Sequence, residues 1–168
     1  ASSRRCTAVR REKNLTIATA ESCTGGLVAA TLSEVPGSSD VLDRGFVTYS
    51  NAAKQTMLGV PAMTLERFGA VSRETAEAMV TGVLTHSPAD LAVSVTGIAG
   101  PGGEVTGKPV GLVHFAAAAR GGQITHHERM FGDVGRAQVR RLSVLHALAM
   151  LHELAEAEPP ESVEAESA

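Results

Sequence analysis

Apolar residues recur along this chain in two rhythms. Residues 15–20 and 91–95 are short apolar runs of the kind that form buried strands, and 45–50 reads as another strand. Two further strands are predicted at 110–118 and 123–131, with Gly121-Gly122 between them as a hairpin signal. Helical spacing separates these runs. Short helices are predicted at 27–32 and 52–58, and a longer one carries Ala76, Met79, Val80, Val83 and Leu84 on one stripe. Ser72 is its N-cap, with Glu74 in the first turn. A long last helix covers 136–154, with Val139, Leu142, Leu145 and Leu148 expected to face inward. Strands alternating with helices, plus one hairpin, predict an α/β fold: a single-domain, three-layer α/β/α sandwich around a mixed β-sheet.

Composition sharpens this picture. At 168 residues with 43% apolar side chains, the chain suffices for one domain, and 3% aromatics without Trp force a core of small aliphatic residues. A net charge of −3 gives no nucleic-acid surface, and no apolar run nears the ~20 residues of a membrane span. Two cysteines are too few for a disulfide framework, and the first residues lack the apolar centre of a signal peptide, so a cytoplasmic location is expected. Charge separates at the ends. Residues 1–14 form a basic arm or helix with Arg4, Arg5, Arg10, Arg11 and Lys13, while 155–168 form an acidic tail expected to be disordered. The domain proper is 15–154.

Three segments can carry chemistry. In Ser22-Cys23-Thr24-Gly25-Gly26, between a strand and a helix, a hydroxyl or thiol nucleophile meets the amides of a helix start, although a plain helix cap would use the same residues. Tyr49 and Lys54 run from a strand end into a helix start. A desolvated lysine there loses its proton and serves as a base, whereas a solvated one does nothing. The run Thr96-Gly97-Ile98-Ala99-Gly100-Pro101-Gly102-Gly103 follows a buried strand and suits a phosphate or carboxylate, but lacks both P-loop and Rossmann spacing. Among the six histidines, adjacent His126 and His127 point to opposite faces of a strand, so a metal-free site without cofactor is expected.

Taken together, Ala20-Glu21-Ser22-Cys23-Thr24-Gly25-Gly26, Tyr49-Ser50-Asn51 with Lys54, the glycine-rich run 96–103 and Lys108-Pro109-Val110-Gly111 resemble the CinA C-terminal domain family, named for competence- and damage-inducible protein. Val35-Pro36-Gly37 and Gly69-Ala70-Val71-Ser72 add to the likeness, which runs over 15–154. Active members of that family deamidate nicotinamide mononucleotide to nicotinic acid mononucleotide and ammonia. The resemblance implies Ser22 as nucleophile, Lys54 as its base and Tyr49 assisting proton transfer. Cys23, Thr24, Gly25, Gly26, Thr96, Gly97, Gly100, Gly102 and Gly103 would surround the substrate; we add Lys108 as a contact to its phosphate, and Arg136 as a further substrate-binding residue. The resemblance also implies a homodimer or higher homo-oligomer. Cys23 is the rival nucleophile within the same turn.

One departure stands out. Where the family reads Gly-Asp-Arg, this chain reads Gly132-Asp133-Val134-Gly135-Arg136, so Arg136 is displaced by two residues. Loss of an arginine–phosphate contact would weaken binding by about 1.5–3 kcal/mol. Three readings follow: a nicotinamide-nucleotide amidohydrolase, the same chemistry on another phosphorylated or ribosylated amide, or a non-catalytic nucleotide-binding or interaction module.

Overall fold

The fold was analysed in a computed structural model that describes residues 4, 5, 7, 8 and 13–157. Five strands and five labelled helices follow one another within it. They are β1 (Ile17–Glu21), α1 (Leu27–Ser33), β2 (Leu42–Val47), α2 (Asn51–Leu58), α3 (Ala62–Phe68), α4 (Arg73–Thr85), β3 (Leu91–Gly97), β4 (Leu112–Ala119), β5 (Thr125–Met130) and α5 (Arg136–Ala157). The sheet order is β2-β1-β3-β4-β5. β1 pairs parallel with β2 and β3, while β4 and β5 add antiparallel, so the sheet is mixed as expected.

The two faces of the sheet are built differently. One presents Ile17, Val93, Val95, Val113 and Phe115 to α1 and α5. The other presents Ala18, Ala20, Ala92, Ala116 and Ala118 to α2, α3 and α4. An alanine face lets a helix approach closely, so α4 packs directly onto the central strands and Ser94 donates from β3 to the Ala76 carbonyl at 2.6 Å. Here lies the physical meaning of a core almost without aromatic residues.

Several boundaries moved. β2 begins three residues before its predicted start, because its parallel register with β1 (Ile17↔Leu42 to Glu21↔Val47) outweighs the Asp43-Arg44 pair at its exposed edge. Helix α3 was not foreseen, since only Leu65 of its seven residues is buried and no apolar stripe announces it. In α5, Val139 and Leu148 are buried as expected, Leu142 is half-buried and Leu145 is 44% exposed. The buried stripe instead follows Ser143, Val144, Ala147 and Leu151, a helical face rotated from the predicted one. Residues 155–157, assigned to a disordered tail, continue α5, and Lys13 donates to the carbonyls of Ala155 and Glu156 at 2.8 and 2.9 Å. Arg10, Arg11 and 158–168 lie outside the described residues.

Candidate active site

The carboxyl ends of the parallel strands open into one cleft of about 370 Å³. Its walls come from four connections: the β1–α1 turn, the β2–α2 junction, the α3–α4 link at Ala70 and Val71 and the loop after β3, with the start of α5 at the rim.

Ser22 follows the last residue of β1 and still donates its amide to the Val95 carbonyl of β3 at 3.0 Å. The chain then turns sharply. Gly25 donates to the Ser22 carbonyl at 3.0 Å, and Gly26, at φ 106°, occupies a left-handed conformation that a side chain would strain. The Ser22 side chain, only 9% exposed, is thereby fixed at the cleft floor.

Lys54 enters from α2, whose start is capped by the Ser50 hydroxyl accepting from the Ala53 amide. Its side chain is 1% exposed. Nζ lies 3.0 Å from Ser22 Oγ, 2.9 Å from the Thr48 carbonyl and 3.3 Å from the Tyr49 carbonyl. Burial lowers the lysine below its usual range. Nζ donates to all three oxygens; once it has lost a proton, its two remaining hydrogens can serve the two carbonyls while its lone pair faces the serine hydroxyl. Cys23, next to Ser22, is set the other way. Burial, with a smaller contribution from the charge of Glu21, pushes its thiol up to about 11, so it is protonated and a weak nucleophile at neutral pH.

The helix-start amides expected to face the ligand are already taken. The buried Glu21 carboxylate accepts from the Val28 amide at 2.8 Å, the Ala29 amide at 3.1 Å and the Thr24 hydroxyl at 2.6 Å. Thr24 therefore turns away from the cleft. Gly25 sits beneath Arg140, and Gly26 sits against Val47. Glu21 was legible only as part of the motif. The signal that could have singled it out is a carboxylate ending an apolar strand, three residues before a threonine at a helix start.

Two arginines close the amino end of α5 over the site. Arg136, displaced in sequence, does reach the cleft: it donates to the Tyr49 hydroxyl at 2.7 Å and to the Gly100 carbonyl at 2.9 Å. Arg140 donates to the Thr24 carbonyl at 3.2 Å. Tyr49 is 58% exposed at the rim; its phenol is engaged by Arg136, and it meets Lys54 through its carbonyl instead.

Thus Ser22, Cys23, Tyr49, Lys54, Thr96, Gly97, Gly100, Gly102, Gly103 and Arg136 share one cleft, together with Ala70, Val71, Ile98, Ala99 and Pro101. Thr24, Gly25, Gly26 and Lys108 are not among its lining residues. Lys108 is drawn off by the Phe68 carbonyl, which its ammonium meets in a short hydrogen bond. Elsewhere His126 pairs with His114 and His127 with His146, each at 2.9 Å, on opposite sides of β5 as the strand period requires. Among the described residues no three His, Cys, Asp or Glu side chains converge, and no helix is long and apolar enough to cross a membrane.

Comparison with known proteins places the chain in a family. A family model described as the CinA C-terminal domain matches residues 2–155. The chain is 48% identical over 140 residues to a putative competence-damage inducible protein of Caldicellulosiruptor bescii, covering 83% of this chain and 34% of that protein. It is 49% identical over 148 residues to a CinA-like protein of Akkermansia muciniphila, covering 88% and 36%. It therefore spans about a third of the length of these curated relatives. Among solved structures, a competence/damage inducible protein from Agrobacterium tumefaciens superposes with a TM-score of 0.90 at 55% identity, covering 91% of this chain and 93% of that one. A CinA superfamily protein from Escherichia coli gives 0.85 at 34% identity, covering 92% and 90%.

Proposed function

The chain belongs to the CinA C-terminal domain family, and from that premise we propose that it is a nicotinamide-nucleotide amidohydrolase, converting nicotinamide mononucleotide to nicotinic acid mononucleotide and ammonia. The observation that carries this reading is the buried Lys54 amine held 3.0 Å from Ser22 Oγ, with carbonyls occupying its other two positions.

The reaction follows from that pair. Neutral Lys54 takes the Ser22 proton as Oγ attacks the carboxamide carbon. The amides of Cys23 and Thr24, in the turn itself, are the donors nearest in sequence to the developing oxyanion; those of Val28 and Ala29 are committed to Glu21. As the C–N bond breaks, the Lys54 ammonium returns its proton to the departing nitrogen, which leaves as ammonia. An ester to Ser22 remains. Water, deprotonated by Lys54, then attacks that ester, releasing the carboxylic acid and restoring the hydroxyl.

The rest of the cleft fits the substrate. Ala70, Val71, Ile98 and Ala99 offer a small apolar wall for a flat ring, and Arg136 offers a cation at the rim. No carboxylate lines the cleft among the described residues, which favours an anionic ligand. With valine at position 134, Arg136 is the arginine available to a phosphate there.

The test is ammonia release from nicotinamide mononucleotide by the purified protein, with and without EDTA. Release that disappears in Ser22→Ala is expected. Tight nucleotide binding without ammonia from the wild type would replace this reading with that of a binding module.

A further inference from the structure

We propose that Glu21 is a positioning residue that holds Ser22 on Lys54, its carboxylate pinning the turn that carries the nucleophile. The inference rests on the serine–lysine reading and adds a residue to it.

Glu21 lies one residue before the nucleophile and is 1% exposed. A buried carboxylate persists only if its lone pairs are satisfied, and here they are. Oε1 accepts from Thr24 Oγ1 and the Val28 amide; Oε2 accepts from the Ala29 amide and, at 3.4 Å, from Thr19 Oγ1. These bonds run from the strand before Ser22 to the helix after it, so they brace both ends of the turn. The main chain of the same residue braces the base. The Glu21 carbonyl accepts from the Thr48 amide at 2.9 Å, and the Thr48 carbonyl in turn accepts from Lys54 Nζ. One residue thereby ties the nucleophile turn and the lysine's carbonyl seat to the same point of the sheet.

A carboxylate suits this position and an amide does not. All four partners are donors, so Glu21→Gln sets its own NH2 against at least one of them while keeping the same volume. The turn would loosen on that side, and displacement of a reacting atom by about 1 Å costs on the order of 100-fold in rate. Thr24→Val is a milder disturbance: it removes one of the four bonds and leaves the charge paired with the helix amides.

Labelling with a fluorophosphonate reads nucleophile placement without any nucleotide. Ser22 Oγ forms a bond to phosphorus, fluoride leaves and Lys54 takes the proton. Mass spectrometry gives both the fraction of Ser22 labelled and the rate of labelling. A purely structural role lowers the fraction through unfolding, whereas a positioning role lowers the rate at full occupancy. We expect Glu21→Gln to label about 10- to 100-fold more slowly and Thr24→Val several-fold more slowly, both reaching full labelling. Ser143→Ala, which removes a buried hydroxyl within α5, is expected to label at the wild-type rate. Wild-type labelling rates in both Glu21→Gln and Thr24→Val would overturn the positioning role alone. Failure of the wild type to label at Ser22 would overturn the serine reading and this proposal with it.

Discussion

Lys54 and Cys23 show how burial assigns chemistry at the scale of single residues. The same desolvation that lowers a lysine raises a thiol, so one cleft floor favours the neutral amine and the protonated thiol, as the proposed mechanism needs. Two consequences can be measured. Ser22→Ala is expected to abolish turnover, while Cys23→Ala retains most of it, as initial rates will show. For Lys54 the sign is fixed by the lowered value. In the proposed mechanism its neutral form is the active one, so kcat/KM should rise with pH through a midpoint below the ordinary lysine value of 10.5. Stability shares that direction. The unfolded chain binds the lysine proton more strongly, so the penalty is complete below the folded-state value and fades as pH rises toward 10.5. Urea unfolding at pH 7 and pH 9.5 should show the wild type gaining stability relative to Lys54→Met at the higher pH. A flat difference between the two proteins would contradict the lowered lysine.

At the scale of elements, close approach on the alanine face is what seats α2, and with it Lys54. Gly82 of α4 faces the end of α2, and a Cβ built there would lie 2.1 Å from the Leu58 carbonyl oxygen and 2.9 Å from its carbon. Backbone cannot yield as a side-chain tip can. Gly82→Ala should therefore destabilise the fold by about 1–3 kcal/mol despite alanine's better helix propensity, and denaturant unfolding would read it. The displacement of α2 should also lower kcat in the fraction that stays folded. Arg120 works at the same carboxyl end of α4, donating to the carbonyls of Leu84, Ser87 and Ala89 and so closing the helix against β4.

Across the whole molecule, Arg136 joins parts that the sequence keeps far apart. From the first turn of α5 it reaches both Tyr49, beyond β2, and Gly100, beyond β3, and so spans the mouth of the cleft. The anion contact proposed for it predicts a KM effect. Arg136→Ala should raise KM for nicotinamide mononucleotide about 10- to 100-fold, the worth of a lost charge-assisted bond, with kcat changed far less. Nicotinamide riboside, which lacks the phosphate, should be an equally poor substrate for both proteins. A kcat loss without a KM change would place Arg136 in the chemistry instead.

Local signals in the chain determined the fold class, while the pairing of Ser22 with Lys54 came from the family resemblance. Buried strands, capped helices and the hairpin are written as short-range periodicities, and the motif residues at 20–26 and 49–54 put Ser22 just after β1 and Lys54 in the helix that follows β2. Position within an element was harder to read. Helix α3 has no apolar stripe, and in α5 the predicted inward Leu145 is exposed because α1 and the sheet choose the face. Contacts distant in sequence were settled only by tertiary structure. Glu21 takes the α1 amides that a helix start leaves open to a ligand, Lys108 is held at Phe68 away from the cleft wall, and Arg136, two residues further along than the motif has it, still reaches Tyr49 and the cleft because its side chain is long. Sequence supplies the groups and their local geometry. Which donor meets which acceptor depends on packing, since a hydrogen bond requires about 3 Å of separation whatever the distance along the chain.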